Sequence, residues 1–162
     1  MHSPPTPPPA PTAGPIVAGV DLSPYASDVV CWAARLATLT GQPLHVVHVV
    51  HDPGDRPGYY RADAAAPTET LLEAARRQVD AFVVDARAQC AELAALRDVH
   101  VQIVEGLPAT RLIEVAEAVA AALIVVGSRG RTGLRRLLLG SKAERVARLA
   151  PMPVVLVKAG TP

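Results

Sequence analysis

The sequence predicts an α/β domain built on an open, five-stranded parallel sheet with helices on both faces. Three observations carry this expectation. Short apolar, β-branched runs alternate with longer segments whose apolar residues recur at helical spacing. The runs are almost continuously apolar, as strands buried on both sides are. At 162 residues, 50% hydrophobic and 19% charged, the chain has the length of one domain and too much apolar surface to be disordered as a whole.

The elements follow in order. The first fifteen residues hold seven prolines, which fix φ and remove amide donors, so residues 1–14 read as a disordered tail ahead of a single domain at 15–159. PIVAGVD (15–21) is the first buried strand. Residues 23–41 form a helix with Ser23 as N-cap, Pro24 in the first helical position and Gly41 as the stop. Val29, Val30, Trp32, Ala33, Leu36 and Leu39 supply its apolar face. PLHVVHVV (43–50) is the second strand. Residues 51–67, rich in Pro, Gly and Asp, form a variable loop. A long helix spans 68–96, with Leu72, Ala75, Val79, Phe82, Val83, Ala86, Cys90 and Leu93 on one face. VHVQIVEG (99–106) is the third strand. Pro108 opens a helix through Ala121, ALIVVG (122–127) is the fourth strand, Ser141–Leu149 is a short helix and PVVLVK (153–158) is the fifth strand.

Strands that alternate with helices require right-handed crossovers and a parallel sheet. Ligands of such sheets bind beyond the carboxyl ends of the strands, at a topological switch point. Asp21, the segment around Val49 and the loop after Gly127 therefore belong to one rim.

Several function classes are disfavoured. No apolar run is long enough to span a membrane. The proline-rich start lacks the cationic and apolar regions of a signal peptide. The two cysteines, Cys31 and Cys90, form no CxxC motif and no disulfide framework. They read as buried, inert thiols in a cytoplasmic protein. No metal site is expected: His45 and His48 point to opposite faces of their strand, and His45 lies roughly 20 Å from His51. Aromatic residues make up 3%, too few for stacking on single-stranded nucleic acid, so no nucleic-acid partner is expected. No Ser-His-Asp or Cys-His spacing supplies catalytic residues.

The chemistry concentrates in GSRGRTGLRRLLLGS (127–141). Residues 129–148 hold seven of the 16 basic side chains and one of the 15 acidic ones. Gly127 and Gly130 let backbone approach a ligand closely, and successive amides there make an anion-binding concavity. Gly140–Ser141 opens a helix whose free amides and positive dipole end favour phosphate. Arg129 and Arg131 add mobile positive charge, and Lys142 adds a further one. Two structural explanations compete: a strand-to-helix turn shaped by glycine, and a Ser141–Glu144 capping box. The segment is not a Walker A loop, and no GxGxxG follows the first strand.

With these residues in view, the chain resembles the universal stress protein family. Gly127, Gly130, Gly140 and Ser141 match the G-2x-G-9x-G-[ST] signature of its ATP-binding branch. IVAGVDLS (16–23), LHVVHVV (44–50), ALIVVGSRGRTGL (122–134) and APMPVVLVK (150–158) resemble its strand regions. The resemblance implies a Rossmann-like, adenine-nucleotide-binding architecture. It implies that Gly19 lines the base and that Asp21 approaches the ribose or adenine. Val49 would offer main-chain groups to the adenine edge, and Val126 and Gly127 would flank the ribose and α-phosphate. Arg129 and Gly130 would face the phosphates, with Gly140 and Ser141 closing over them. Lys142 and Ala143 depart from the family pattern, and Ala143 removes a phosphate-contacting hydroxyl worth about 1 kcal/mol.

The reading that follows is an ATP-binding, stress-linked regulatory module, with Mg²⁺ carried on the phosphates and little or no turnover. A slow ATPase or nucleotidyl transferase and a nucleotide-free interaction protein are the alternatives. The apolar fifth strand, at a sheet edge, is expected to pair with a second copy.

Overall fold

The computed structural model describes residues 13–51, 70–128 and 139–158. The expectations for the proline-rich tail before residue 13, for nearly all of the 51–67 loop, and for Arg129 and Gly130 fall outside these residues.

Five strands form one parallel sheet: β1 (Ile16–Val20), β2 (Leu44–Val50), β3 (His100–Glu105), β4 (Leu123–Gly127) and β5 (Val154–Val157). Their order is β3-β2-β1-β4-β5. Four helices join them: α1 (Ala26–Thr40), α2 (Leu71–Gln89), α3 (Pro108–Ala118) and α4 (Ser141–Leu149). The predicted α/β architecture is the observed one. The chain builds outward from β1 in one direction through β2 and β3, then returns to add β4 and β5 on the other side. β1 and β4 thus flank the switch point.

Side chains alternate across the sheet. Ile16, Ala18, Val20, Leu44, Val46 and Val125 pack under α1 and α2 in one apolar cluster. Val17, Val47, Ile124 and Val126 pack under α3 and α4 in another. Covering both faces explains why the strands carry so few polar residues.

Three helix boundaries differ from expectation, each for a local reason. α1 starts at Ala26, and Ser23 is not its cap. The Asp21 carboxylate accepts the Ser23 amide at 3.0 Å, and Leu22 takes φ +56°, so a side-chain-stabilised turn precedes the helix. The long helix predicted over 68–96 is α2 followed by a separate 3-10 turn at Ala94–Leu96. Its entry is a capping box: Thr70 Oγ1 accepts the Glu73 amide while Glu73 accepts from the Thr70 amide. Its exit is Cys90, at φ −127° and ψ 44°, which turns Leu93 and Leu96 inward onto the α1 side of the core. α3 stops at Ala118, ahead of Ala120 at φ +50°.

Cys31 and Cys90 correct the expectation of separate inert thiols. They form a disulfide, with Cα atoms 6.3 Å apart. Sequence spacing hid this because the pair lies 59 residues apart and is brought together by α1 and α2 packing side by side on one face. The bond ties the middle of α1 to the end of α2. Closing a loop of that length is worth about 4 kcal/mol in the chain-entropy account. Thiol titration of unreduced, denatured protein is expected to find no free thiol. Dithiothreitol, or the double variant Cys31→Ala/Cys90→Ala, is expected to lower unfolding free energy by about 2–4 kcal/mol in urea titrations.

Candidate functional site: the rim beyond the strand ends

β1 and β4 deliver their carboxyl ends side by side, with Gly19 the partner of Val126. On the other side Gly19 is the partner of Val47. Continuing both registers by two residues sets Asp21 between Val49 and Ser128. These three positions, from three adjacent strands, are the rim expected from the sequence.

Below the rim, Gly19 has a packing reason to be glycine. A Cβ there would sit 2.5 Å from Leu112 Cδ2 and 3.1 Å from Val126 Cγ1. The bare backbone lets α3 press onto β1. Beside it His48 is fully buried, and its Nδ1 lies 2.8 Å from the Val20 carbonyl oxygen. That contact ties β2 to the last residue of β1 immediately under Asp21. Val126 is buried, and Gly127 is half-buried as the partner of Val157. Val49 is half-buried in β2, opposite Val104.

The chain leaves β4 at Ser128, whose amide donates to the Val157 carbonyl at 2.7 Å. The Ser128 carbonyl in turn accepts the Gly140 amide at 2.9 Å. This bond brings the start of α4 back to the end of β4. Gly140 is the N-cap, in an extended conformation, and its carbonyl accepts the first helical bond from Glu144. The competing capping-box reading of Ser141 is corrected here. Ser141 is the first helical residue, no side chain caps α4, and Glu144 pairs with Arg148 at 2.5 Å instead. The first-turn amides of α4 are therefore left for water or a ligand, with the positive end of the helix dipole behind them.

Ser141 and Lys142 are exposed at this helix start. Ala143 is buried against the cluster of Val17, Ile124 and Val126. Its methyl group belongs to the core, so the departure from the family pattern at this position is a packing residue. Arg148, paired with Glu144, is exposed at the surface. Arg111, which sequence reasoning did not single out, lies near the β3 end of the same rim. Its side chain packs over Gly106, where a Cβ would meet Arg111 Cγ at 2.8 Å, and its guanidinium pairs with Glu114. The Gly-x-Pro that ends β3 and opens α3 is the signal that would have found it.

The geometry thus joins Gly19, Asp21, Val49, Val126, Gly127, Gly140, Ser141 and Lys142 at or beneath one edge of the sheet. A profile of the universal stress protein family matches residues 13–158. The chain belongs to the universal stress protein family. A universal stress protein A homolog of Coxiella burnetii is 30% identical over 142 residues, which cover 88% of this chain and 94% of that one. The chain spans 35% and 45% of the length of two other universal stress proteins it matches. Among solved structures, a universal stress protein in complex with cAMP superposes with TM-score 0.64 at 26% identity, covering 92% of this chain and all of that one. The universal stress protein of Archaeoglobus fulgidus in complex with dAMP gives TM-score 0.62 at 25% identity, covering 90% and 98%.

As in any close-packed core, filling the Gly19 gap forces a neighbour to move. Gly19→Val is expected to lower stability by about 1–3 kcal/mol in chemical denaturation. Leu112→Ala in the same chain is expected to return part of that loss.

Proposed function

We propose that this universal stress protein binds an adenine nucleotide, ATP foremost, across the β1–β4 switch point, and acts as a regulatory module with little or no turnover. The observation that carries the reading is the Gly140–Ser128 hydrogen bond. It sets an uncapped helix start beside the end of β4, at the edge where Asp21 and Val49 also arrive. A helix N-terminus favours phosphate by its free amides and its dipole. The basic run from Arg129 to Arg148 adds charge of the same sign. Solved relatives in complex with cAMP and dAMP support an adenine nucleotide as the ligand class.

In this reading the amides of Ser141 and Lys142 receive phosphate, with Arg129 and Gly130 on the intervening segment. Asp21 faces the ribose or adenine, and the backbone near Val49 meets the base edge. Mg²⁺ travels on the phosphates and neutralises part of their charge. Hydrolysis needs a group that orients water and one that stabilises developing charge. Arg129 offers the second, and no residue at the rim is assigned the first.

Adding ATP·Mg²⁺ is expected to raise the melting temperature, and heat extraction of purified protein is expected to release adenine nucleotide. Gly140→Val is the decisive variant. The extended backbone of Gly140, at φ −65° and ψ 139°, is one that valine also adopts, so the branched side chain is placed at the helix start, and a circular dichroism spectrum like the parent's is the control for the fold. The melting-temperature shift is expected to vanish in Gly140→Val and in Gly130→Val. An unchanged shift in both variants refutes the site. Steady release of phosphate from ATP favours the slow ATPase instead, and absence of any shift in the parent protein favours the nucleotide-free alternative.

A two-fold dimer through β5 completes the proposal. β5 is an edge strand paired with β4 alone among the described residues, and it exposes Leu156 while half-exposing Val154 and Val155. Such an edge is a pairing hazard unless covered. Sedimentation is expected to give a dimer for the parent chain. Leu156→Lys, which sets a charge on that edge, is expected to give a monomer with an unchanged circular dichroism spectrum.

A further inference from the structure

We propose that the Cys31–Cys90 disulfide is a thiol-responsive clasp: a dithiol reductant opens it in the folded protein and frees the end of α2 and the 3-10 turn from α1. The bond joins one covering helix to the end of another. Cys31 lies in the first half of α1, and Cys90 is the residue that ends α2. The sheet ladders and the cluster beneath α3 and α4 contain neither cysteine. The two residues differ in exposure. Cys90 is 5% exposed within the apolar cluster beneath α1, whereas Cys31 is half-buried and packs against that cluster from outside. A thiolate arriving from solvent therefore attacks Cys31 Sγ and forms a mixed disulfide there, and Cys90 leaves as a thiolate that takes a proton. The second thiol of the reductant then displaces Cys31, which takes a proton likewise. In sum the protein disulfide gains two electrons and two protons, and the dithiol is oxidised to its own disulfide.

The packing decides what the clasp controls. The inward face of α2 is Ala74, Ala75, Val79, Val83 and Ala86, and its alanines each bury a single methyl group. Such a face gains less from burial than that of α3, which carries Leu112 and Ile113. Beyond Cys90, Leu93 and Leu96 reach the α1 cluster, and the Ala95 amide donates to Thr38 Oγ1 at 3.3 Å across an exposed contact. Arg87 Nε donates to the Leu96 carbonyl at 2.9 Å, which binds the 3-10 turn to α2 rather than to α1. Residues 82–97 thus form one local unit, fastened to α1 by the disulfide and by modest apolar packing. Folded proteins open in such units, each with its own free energy, and removing a covalent tie lowers that of the unit it held. Opening bares Leu93 and Leu96, so the reduced chain presents apolar surface that the oxidised chain keeps covered.

Equilibrating the full, oxidised chain with mixtures of reduced and oxidised dithiothreitol, without denaturant, tests the clasp. Maleimide trapping with intact mass counts the thiols, and hydrogen–deuterium exchange follows the backbone. Two thiols are expected to appear together as the reduced fraction rises. In the reduced protein the amides of residues 82–97 are expected to exchange about tenfold faster or more, while those of β1, β2 and β4 keep their protection. Cys31→Ala/Cys90→Ala is expected to show the reduced pattern with no dithiothreitol present. A bond that yields only after denaturation overturns the proposal, as does exchange that rises alike over the whole sheet or stays unchanged at 82–97. So does a double variant that fails to fold, since the sheet then depends on the bond.

Discussion

A single backbone hydrogen bond, from the Gly140 amide to the Ser128 carbonyl, determines where the first turn of α4 stands relative to the sheet. Eleven residues separate the two in the chain. Without that bond, α4 is one more covering helix on the α3 face. With it, the uncapped first turn of α4 stands at the carboxyl end of β4, next to the switch point. The Ser128 amide is fixed in turn by the Val157 carbonyl, so β5 holds the residue that follows β4 from the other side. Edge strand and candidate site are thus joined through one pair of backbone hydrogen bonds.

The rest of the fold secures this corner from beneath. β1 is buried on both faces and has adjacent strands on both sides. Its residues are small where helices press closest: Gly19 admits Leu112, and Ala18 lies in the α1 cluster. His48 spends its Nδ1 on the last carbonyl of β1, so the end of that strand is tied laterally as well as through the ladder. Asp21 then turns the chain by accepting the Ser23 amide. Its carboxylate has one oxygen engaged locally and keeps further acceptor capacity. The Cys31–Cys90 disulfide acts on the far face, where it fixes α2 to α1.

Much of this was legible in the sequence because periodicity and punctuation agree. Apolar runs gave all five strands within a residue or so, and Pro108, Gly41 and Gly140 marked helix ends at or near their true positions. The rim followed from topology, since parallel order alone sends Asp21, Val49 and Gly127 to one edge. What escaped was pairing across the fold. Ser23 reads as a cap by type, but the nearer Asp21 carboxylate takes its amide. Ser141 and Glu144 have capping-box spacing, yet the helix begins one residue too early for it, and the box forms at Thr70 and Glu73 instead. The disulfide and the His45–His100 contact join residues far apart in the chain, which local spacing cannot report. Ala143 shows the reverse error: a position judged by its lost hydroxyl is set by burial.

Amide chemical-shift mapping with ATP·Mg²⁺ tests the central claim most directly. The account predicts that the largest downfield shifts fall on the amides of Ser141, Lys142 and Ala143, with smaller changes at Asp21 and Val49, all saturating along one binding curve. Saturable binding that leaves the first turn of α4 unmoved, with its shifts gathered on another edge of the sheet, would contradict it.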